Sequence, residues 1–324
     1  MLITTFFMTN GLDILVAVII DWIIGDPHWF PHPVIYIGKL IAYLEKKGRK
    51  LCKTEASIKA FGGFIVVVVT LISFSIPFFI LSITKQISWL YHILNVSIIW
   101  TTLAAKSLSS EAKKVYYELK NNDLEAARTK LSYIVGRDTK SLDDKEIIRA
   151  DVETVAENTA DGVIAPLFYA MIGGAPLAMM YKGINTMDSM LGYMNEKYKN
   201  IGFFPAKVDD LFNFIPARLT GILICIVAFI VKGDPVESFK IMIRDRKNHK
   251  SPNCAYPEGA AAGAMRVQLG GSNIYFGEVI YKPTIGDKKL ELSSEHINDC
   301  IKLMYGAEVL MVVMYILVTL IIKL

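Results

Sequence analysis

Cysteine is scarce and carries no pairing signal. The 324 residues hold four, namely Cys52, Cys225, Cys254 and Cys300, and no CxxC occurs. That excludes the common zinc and dithiol motifs and reads as four unrelated thiols in a reducing compartment. No GxxxxGK[ST] is present, so there is no P-loop nucleotide site, and no GxGxxG fingerprint either. The five histidines fall in no convincing Ser–His–acid arrangement. Met1–Gly25 lacks a basic n-region and a small-residue cleavage site, and is not expected to be a removed signal peptide. Internal repeats and low-complexity tracts are missing. Excess charge of one sign is small as well: the formal net charge is +4. The Lys and Arg residues are spread through polar segments, which fits membrane topology better than nucleic-acid binding.

What the chain has in abundance is apolar residues, 53% against 20% charged. That is too hydrophobic for an ordinary soluble domain and too charged for a bundle of nothing but spans. The expected fold class is all-α, a polytopic membrane helical bundle with helical polar loops, organised as one integral membrane domain over 1–324. Spans are expected at about 3–24, 61–83, 87–105, 163–182, 212–231 and 303–322. The 163–182 segment reads either as a span or as a re-entrant helical hairpin, because Gly173-Gly174-Ala175-Pro176 interrupts it. Non-helical backbone at membrane depth is tolerated only where protein or water covers it.

Between the apolar segments the polar ones have their own signals. GDPHWFPHP (Gly25–Pro33) holds three prolines and cannot be a regular helix. Its Asp26, His28 and His32 form either a rigid membrane-exit turn or a substrate- or phosphate-facing loop. Ser107–Val135 reads as two helices broken near Asn121-Asn122, with Asp123 as an N-cap. Ser141 with Asp144 three positions on has the form of a capping box and is expected to start the next helix.

That helix leads into the central stretch Arg149–Gly192. Glu153, Glu157 and Asp161 recur on one stripe of it, either as a solvated face with an Arg149–Glu153 pair or as Mg²⁺ ligands, since Mg²⁺ prefers carboxylate oxygen. Beyond the break, Asn185, Asp188 and Gly192 recur at helical spacing beside Ser189. Asp209, Asp210, Asn213 and Arg218 precede another span, and Asn248–Gly271 is a small-residue stretch containing Asn253, Glu258 and Arg266. Ionisable groups at the edge of membrane segments are expensive to place, which marks them as functional candidates.

Taken in order, these pieces form one pattern: Asp21…Gly25-Asp26-Pro27…His32-Pro33, Gly136-Arg137-Asp138-Thr139, Glu157-Asn158-Thr159-Ala160-Asp161-Gly162…Pro166, and Asn185-Thr186-Met187-Asp188-Ser189-Met190…Gly192-Tyr193. Asp209-Asp210…Asn213…Pro216-Ala217-Arg218, Ser251-Pro252-Asn253…Pro257-Glu258…Ala262-Gly263 and Pro283…Gly286-Asp287 complete it. The pattern resembles the CbiB/CobD family of cobalamin-biosynthesis membrane proteins, adenosylcobinamide-phosphate synthase. The resemblance covers nearly the whole chain, with ENTADG and NTMDSM its specific parts.

The resemblance implies a multi-pass cell-membrane enzyme that joins adenosylcobyric acid to aminopropanol phosphate or ethanolamine phosphate through a new amide bond, using ATP and Mg²⁺. On that reading the corrin carboxylate is activated as an acyl phosphate and the amine attacks it. Glu157, Asp161 and Asp188 are the expected catalytic groups, and these three with Asp209 the expected Mg²⁺ ligands. Asp26, His32, Arg137, Asn158, Asn185, Ser189, Asn213, Arg218, Asn253, Glu258 and Arg266 are expected to bind substrate or phosphate. Arginine suits phosphate because its fork binds two oxygens at once. Expected partners are the corrinoid, the amino-alcohol phosphate and the lipid bilayer, with other cobalamin-assembly membrane enzymes or a second copy of the chain, and no nucleic acid. The rival reading is a corrinoid-binding or transporting membrane protein without catalysis.

Overall fold

The computed structural model describes residues 2–27, 29–275 and 278–321; His28 of the proline-rich segment lies outside the described residues. In chain order the helices are α1 (Leu2–Ile24), α2 (Pro33–Leu51), α3 (Glu55–Thr84), α4 (Ser88–Trp100), α5 (Ala105–Lys120), α6 (Leu124–Leu131) and α7 (Asp144–Asn158). After α7 comes a π-helical turn, Thr159–Ile164. Then follow α8 (Ala165–Leu191), α9 (Phe203–Phe212), α10 (Phe214–Ile226), a 3₁₀ turn at Val227–Val231, α11 (Pro235–Asp245), α12 (Ala255–Met265) and α13 (Glu295–Ile321). The fold is the all-α membrane architecture that the composition demands. One feature the sequence did not announce is an antiparallel hairpin between α12 and α13, β1 (Leu269–Tyr275) with β2 (Glu278–Ile285). Among the described residues, four segments are long and apolar enough to cross a membrane: Glu55–Thr84, Asp144–Leu191, Phe214–Val231 and Glu295–Ile321.

The chain divides into two compact units. The first comprises Met1–Ala104, Ala165–Asn213 and Tyr315–Leu324. Its longest helix, α3, is opened by a capping box in which Thr54 and Ser57 satisfy each other's backbone N–H groups. One face of α3 buries Ile65 and Val69 against Ile37, Ile41 and Leu44 of α2 and Ile184, Met187 and Leu191 of α8. Its opposite face leaves Phe64, Val67, Leu71, Ile76 and Phe79 exposed, which is costly in water and neutral in lipid. The α2 helix starts as the sequence requires: Pro33 occupies the first turn, and the ring of His32 caps it by accepting from Val34 N at 3.3 Å.

The α8 helix carries the Gly173–Pro176 break. Gly173 and Gly174 have non-helical backbone angles, and Gly174 (φ 65°, ψ −160°) sits in a region essentially reserved for glycine. Tyr169 and Tyr181 lie twelve positions apart across the break, which in a straight helix would place them about 18 Å apart. Their rings stack with centroids 5.2 Å apart. The chain therefore turns back on itself at the glycines, and the two arms of α8 pack side by side. Both tyrosines dock on the end of α9: Tyr169 donates to Phe212 O at 2.8 Å and Tyr181 to Asn213 Oδ1 at 2.8 Å. The tip is held by Asn95 of α4, whose Oδ1 accepts from Ala175 N at 3.3 Å while its Nδ2 donates to Asp13 at 2.7 Å.

The second unit comprises Ala105–Ile164 and Phe214–Met314. Asp123 caps α6 as expected, accepting from Ala126 N. The capping box that starts α7 is not Ser141 with Asp144. It is Asp143 with Glu146, two positions further on, each side chain taking the other's backbone N–H. Asp is as good an N-cap as Ser, and Glu at the third helical position completes the box. The small-residue stretch Asn248–Gly271 is helical at its middle. Its centre is α12, buried along almost its whole length. A Cβ at Gly263 would lie 2.7 Å from Ser238 Cα of α11, and one at Gly259 3.1 Å from Met242 Cα. Small residues there let two helix backbones approach closely.

Candidate functional site

The sequence signature ENTADG falls where α7 passes into its π-helical turn. Such a turn inserts one residue into the i→i+4 ladder and re-aims the side chains beyond it, and it is common at functional sites. Glu153, two turns before Asp161, is committed to structure. One of its oxygens pairs with Arg137 Nη2 and the other accepts from Gly270 N at 2.8 Å, with Arg149 Nε at 3.9 Å. A buried carboxylate needs such partners. The same contacts fix Arg137, whose side chain is only 6% exposed.

One turn further along, Glu157 Oε1 accepts from the thiol of Cys254 at 3.0 Å, and Asn158 Nδ2 donates to Thr154 O at 2.9 Å. Burial raises the Cys254 thiol pKa well above its ordinary value, and the carboxylates of Glu157, Glu258 and Asp161 push it further up. Those three acids therefore gather about one thiol. A polar cavity of about 120 Å³ opens beside them, lined by Gly136, Arg137, Glu153, Glu157, Asn158 and Glu258 among others. Four of these residues, Arg137, Glu157, Asn158 and Glu258, were expected from sequence.

Arg218, on α10 of this unit, is not part of that cavity's lining. It donates to Phe214 O at 2.6 Å and to Asn253 Oδ1 at 3.2 Å, with its guanidinium over the rings of Phe214 and Tyr256. Arg266 is exposed and ends α12 in a left-handed conformation (φ 60°). It lines another, much smaller depression of about 10 Å³, with Glu237 and Asp287.

A second polar cluster lies in the first unit, on the returning arm of α8 and on α9. Asp209 is buried; its Oδ2 accepts from Asn213 Nδ2 at 3.0 Å and its Oδ1 from Asn185 Nδ2 at 3.5 Å. Burial first, and the nearby Asp188 carboxylate second, push its pKa up to about 7, and the two amides only partly offset this. Gly192 is required here: a Cβ would lie 2.0 Å from Asp188 Oδ1. Ser189 is exposed and donates back to Thr186 O at 3.0 Å. Apart from this cluster in the same unit, His32 Nε2 lies 3.3 Å from Asp26 Oδ1, which closes the proline-rich loop on itself.

The donor chemistry of both clusters suits a hard cation. Carboxylate and amide oxygens predominate, and Mg²⁺ is commonly held by one or two carboxylates together with substrate phosphate. Among the described residues, no group of three or more His, Cys, Asp and Glu side chains forms a metal cage by itself. Sequence reasoning missed three members of these clusters: Cys254, Tyr169 and Tyr181. Cys254 lies four positions before Glu258, the spacing that puts two side chains on one helical face, and that was the available signal.

The family model described as CobD/Cbib protein matches residues 14–304. The cobalamin biosynthesis protein CobD of Clostridium tetani is 67% identical over 304 residues, covering 94% of this chain and 96% of its own. The protein of that name from Clostridium acetobutylicum is 66% identical, with 95% of this chain and 98% of its own covered. The cobalamin biosynthesis protein CbiB of Salmonella arizonae is 45% identical, with 93% and 95% covered. No solved structure matches the chain. With a model match over nearly its whole length and relatives of this identity, the chain belongs to the CobD/CbiB family of cobalamin biosynthesis proteins.

Proposed function

We propose that the protein is an ATP-dependent ligase of the cell membrane that joins adenosylcobyric acid to an amino-alcohol phosphate, aminopropanol phosphate or ethanolamine phosphate, giving adenosylcobinamide phosphate. The observation that carries the reading is the polar cavity at the π-helical turn, where Arg137, Glu157, Asn158 and Glu258 meet. Its lining supplies carboxylate, amide and guanidinium groups and almost no apolar surface, which suits charged reactants and suits an apolar cargo poorly.

A carboxylate does not form an amide with an amine unless its oxygen is made a leaving group. In the proposed reaction the corrinoid carboxylate takes a phosphoryl group, ADP departs, the amine nitrogen attacks the acyl carbon, phosphate leaves, and one proton is lost from nitrogen. Mg²⁺ would neutralise phosphate charge. Glu157 and Asp161 within the second unit, and separately Asp188 and Asp209 within the first, each present the oxygen donors that Mg²⁺ prefers. Asn158 and Asn185 orient amides or carboxylates, and the acids of the clusters are the proton acceptors. Arg218 and Arg266 meet phosphate charge at the surface of the second unit.

The test uses the purified full-length protein with adenosylcobyric acid, either amino-alcohol phosphate and Mg-ATP. Product and ADP form together in the wild type. Asp161→Asn and Asp188→Asn each lower the rate on the order of 10²-fold or more, the usual loss on removing a group that stabilises developing charge. Wild-type rates in either variant overturn its assignment, and corrinoid binding without turnover overturns the ligase reading in favour of a carrier.

A further inference from the structure

The first unit contains a groove lined by none of the residues assigned to the ligation chemistry. It is about 370 Å³ in volume, within the range of ligand pockets, and nearly all of its lining is apolar. Tyr36, Ile37 and Leu40 of α2 form one wall, and Ile72, Ile76 and Ile80 of α3 the other. The three isoleucines recur every four positions, so the groove follows α3 for about 12 Å. Its rim is open: Tyr36, Ile72, Ile76 and Ile80 are all exposed.

At the edge of this groove begins a line of cations. Lys39 Nζ lies 5.6 Å from the centroid of the Tyr36 ring, which itself lines the groove. Further along α2 come the exposed Lys46, Lys47 and Lys50, with Lys47 over Tyr43 at 5.9 Å. The one acid of α2, Glu45, is taken by Arg49 at 2.8 Å, so nothing on the helix neutralises the lysines. Exposed tyrosines interleaved with lysines on an amphipathic helix are the composition of a segment that meets lipid headgroups.

We propose that this groove is a binding site for an anionic phospholipid, with an acyl chain between α2 and α3 and the phosphate headgroup at Lys39 and the lysines beyond it. The apolar trough alone accepts any acyl chain; the lysine at its edge selects the charge of the headgroup. A protein partner would instead bury the exposed tyrosines, and a soluble phosphate would use the lysines without the groove. The inference is independent of the ligation reading, because none of the residues named belongs to either polar cluster.

The experiment uses the delipidated full-length protein in neutral detergent. Phosphatidylglycerol, phosphatidylcholine of the same acyl chains, and inorganic phosphate are titrated in parallel. Bound lipid is counted by native mass spectrometry and the unfolding midpoint is followed. Phosphatidylglycerol is expected to bind at least about tenfold tighter than phosphatidylcholine and to raise the midpoint, with no effect of inorganic phosphate. Lys39→Gln combined with Lys46→Gln should abolish the preference while leaving phosphatidylcholine binding unchanged, and Ile76→Trp, which fills the groove from an exposed position, should weaken both lipids. Equal affinities in the wild type, a preference that survives the double lysine variant, binding indifferent to Ile76→Trp, the same effect from inorganic phosphate, or a dimer that buries the face would each overturn the proposal.

Discussion

At the scale of single residues, Asp209 is the most informative group. Its ordinary pKa of 3.8 is raised to about 7 by burial and by Asp188. A carboxyl whose folded pKa exceeds its unfolded value favours folding when protonated. Its contribution is complete below the unfolded value and is lost as pH rises through the folded one. The metal-free protein should therefore lose on the order of several degrees of unfolding midpoint between pH 5.5 and 8. Asp209→Asn should flatten that decline. If the pair of carboxylates takes Mg²⁺ in place of the proton, added Mg²⁺ should restore the wild-type midpoint at pH 8 and leave the Asn variant unmoved. Thermal melts in chelator and in Mg²⁺ check both statements. Glu153 marks the other extreme. It lies on the same sequence stripe as Glu157 and Asp161, yet Arg137 and the Gly270 amide consume it.

At the scale of elements, the returning arm of α8 depends on one dihedral pair. Gly174 holds φ 65° and ψ −160°, a combination that costs a residue with a Cβ roughly 1–3 kcal/mol. Gly174→Ala should destabilise the protein by about that amount and separate the Tyr169 and Tyr181 rings. Chemical denaturation and the near-ultraviolet circular dichroism of the stacked tyrosines would report it; an unchanged spectrum and midpoint would contradict the turn-back geometry.

How legible these elements were in the sequence follows from range. The proline-rich segment, the Asp123 cap and the Gly-Gly-Ala-Pro break are local, and each was visible from a few neighbouring residues. The start of α7 was placed two residues early, because Ser141/Asp144 and Asp143/Glu146 both satisfy the capping pattern and only packing chooses. The stacking of Tyr169 on Tyr181 depends on how the break is turned, and spacing alone is silent on that. The β1–β2 hairpin, whose Gly270 amide reaches back 117 positions to Glu153, carries no alternating pattern strong enough to announce it.

At the scale of the molecule, the two signature segments divide between the two compact units: Glu157–Gly162 in one, Asn185–Gly192 in the other. Each unit contains a cluster of carboxylates and amides. What the resemblance left open, the structure fills within each unit: which acid is spent on an arginine, which thiol the acids surround, which tyrosine holds the Asn213 amide. The exposed apolar faces of α3 and α13, and the four segments among the described residues that are long and apolar enough to cross a membrane, suit a bilayer.

The central claim, that a corrinoid carboxylate is activated by phosphoryl transfer before the amine attacks, is tested most directly by isotope transfer. Adenosylcobyric acid labelled with ¹⁸O in the reacting carboxylate is turned over with Mg-ATP and aminopropanol phosphate, and the products are weighed by mass spectrometry. The account predicts one labelled oxygen in the inorganic phosphate released for each amide formed, with ADP in equal amount. Label in AMP, or unlabelled phosphate accompanying labelled amide and water, would contradict it.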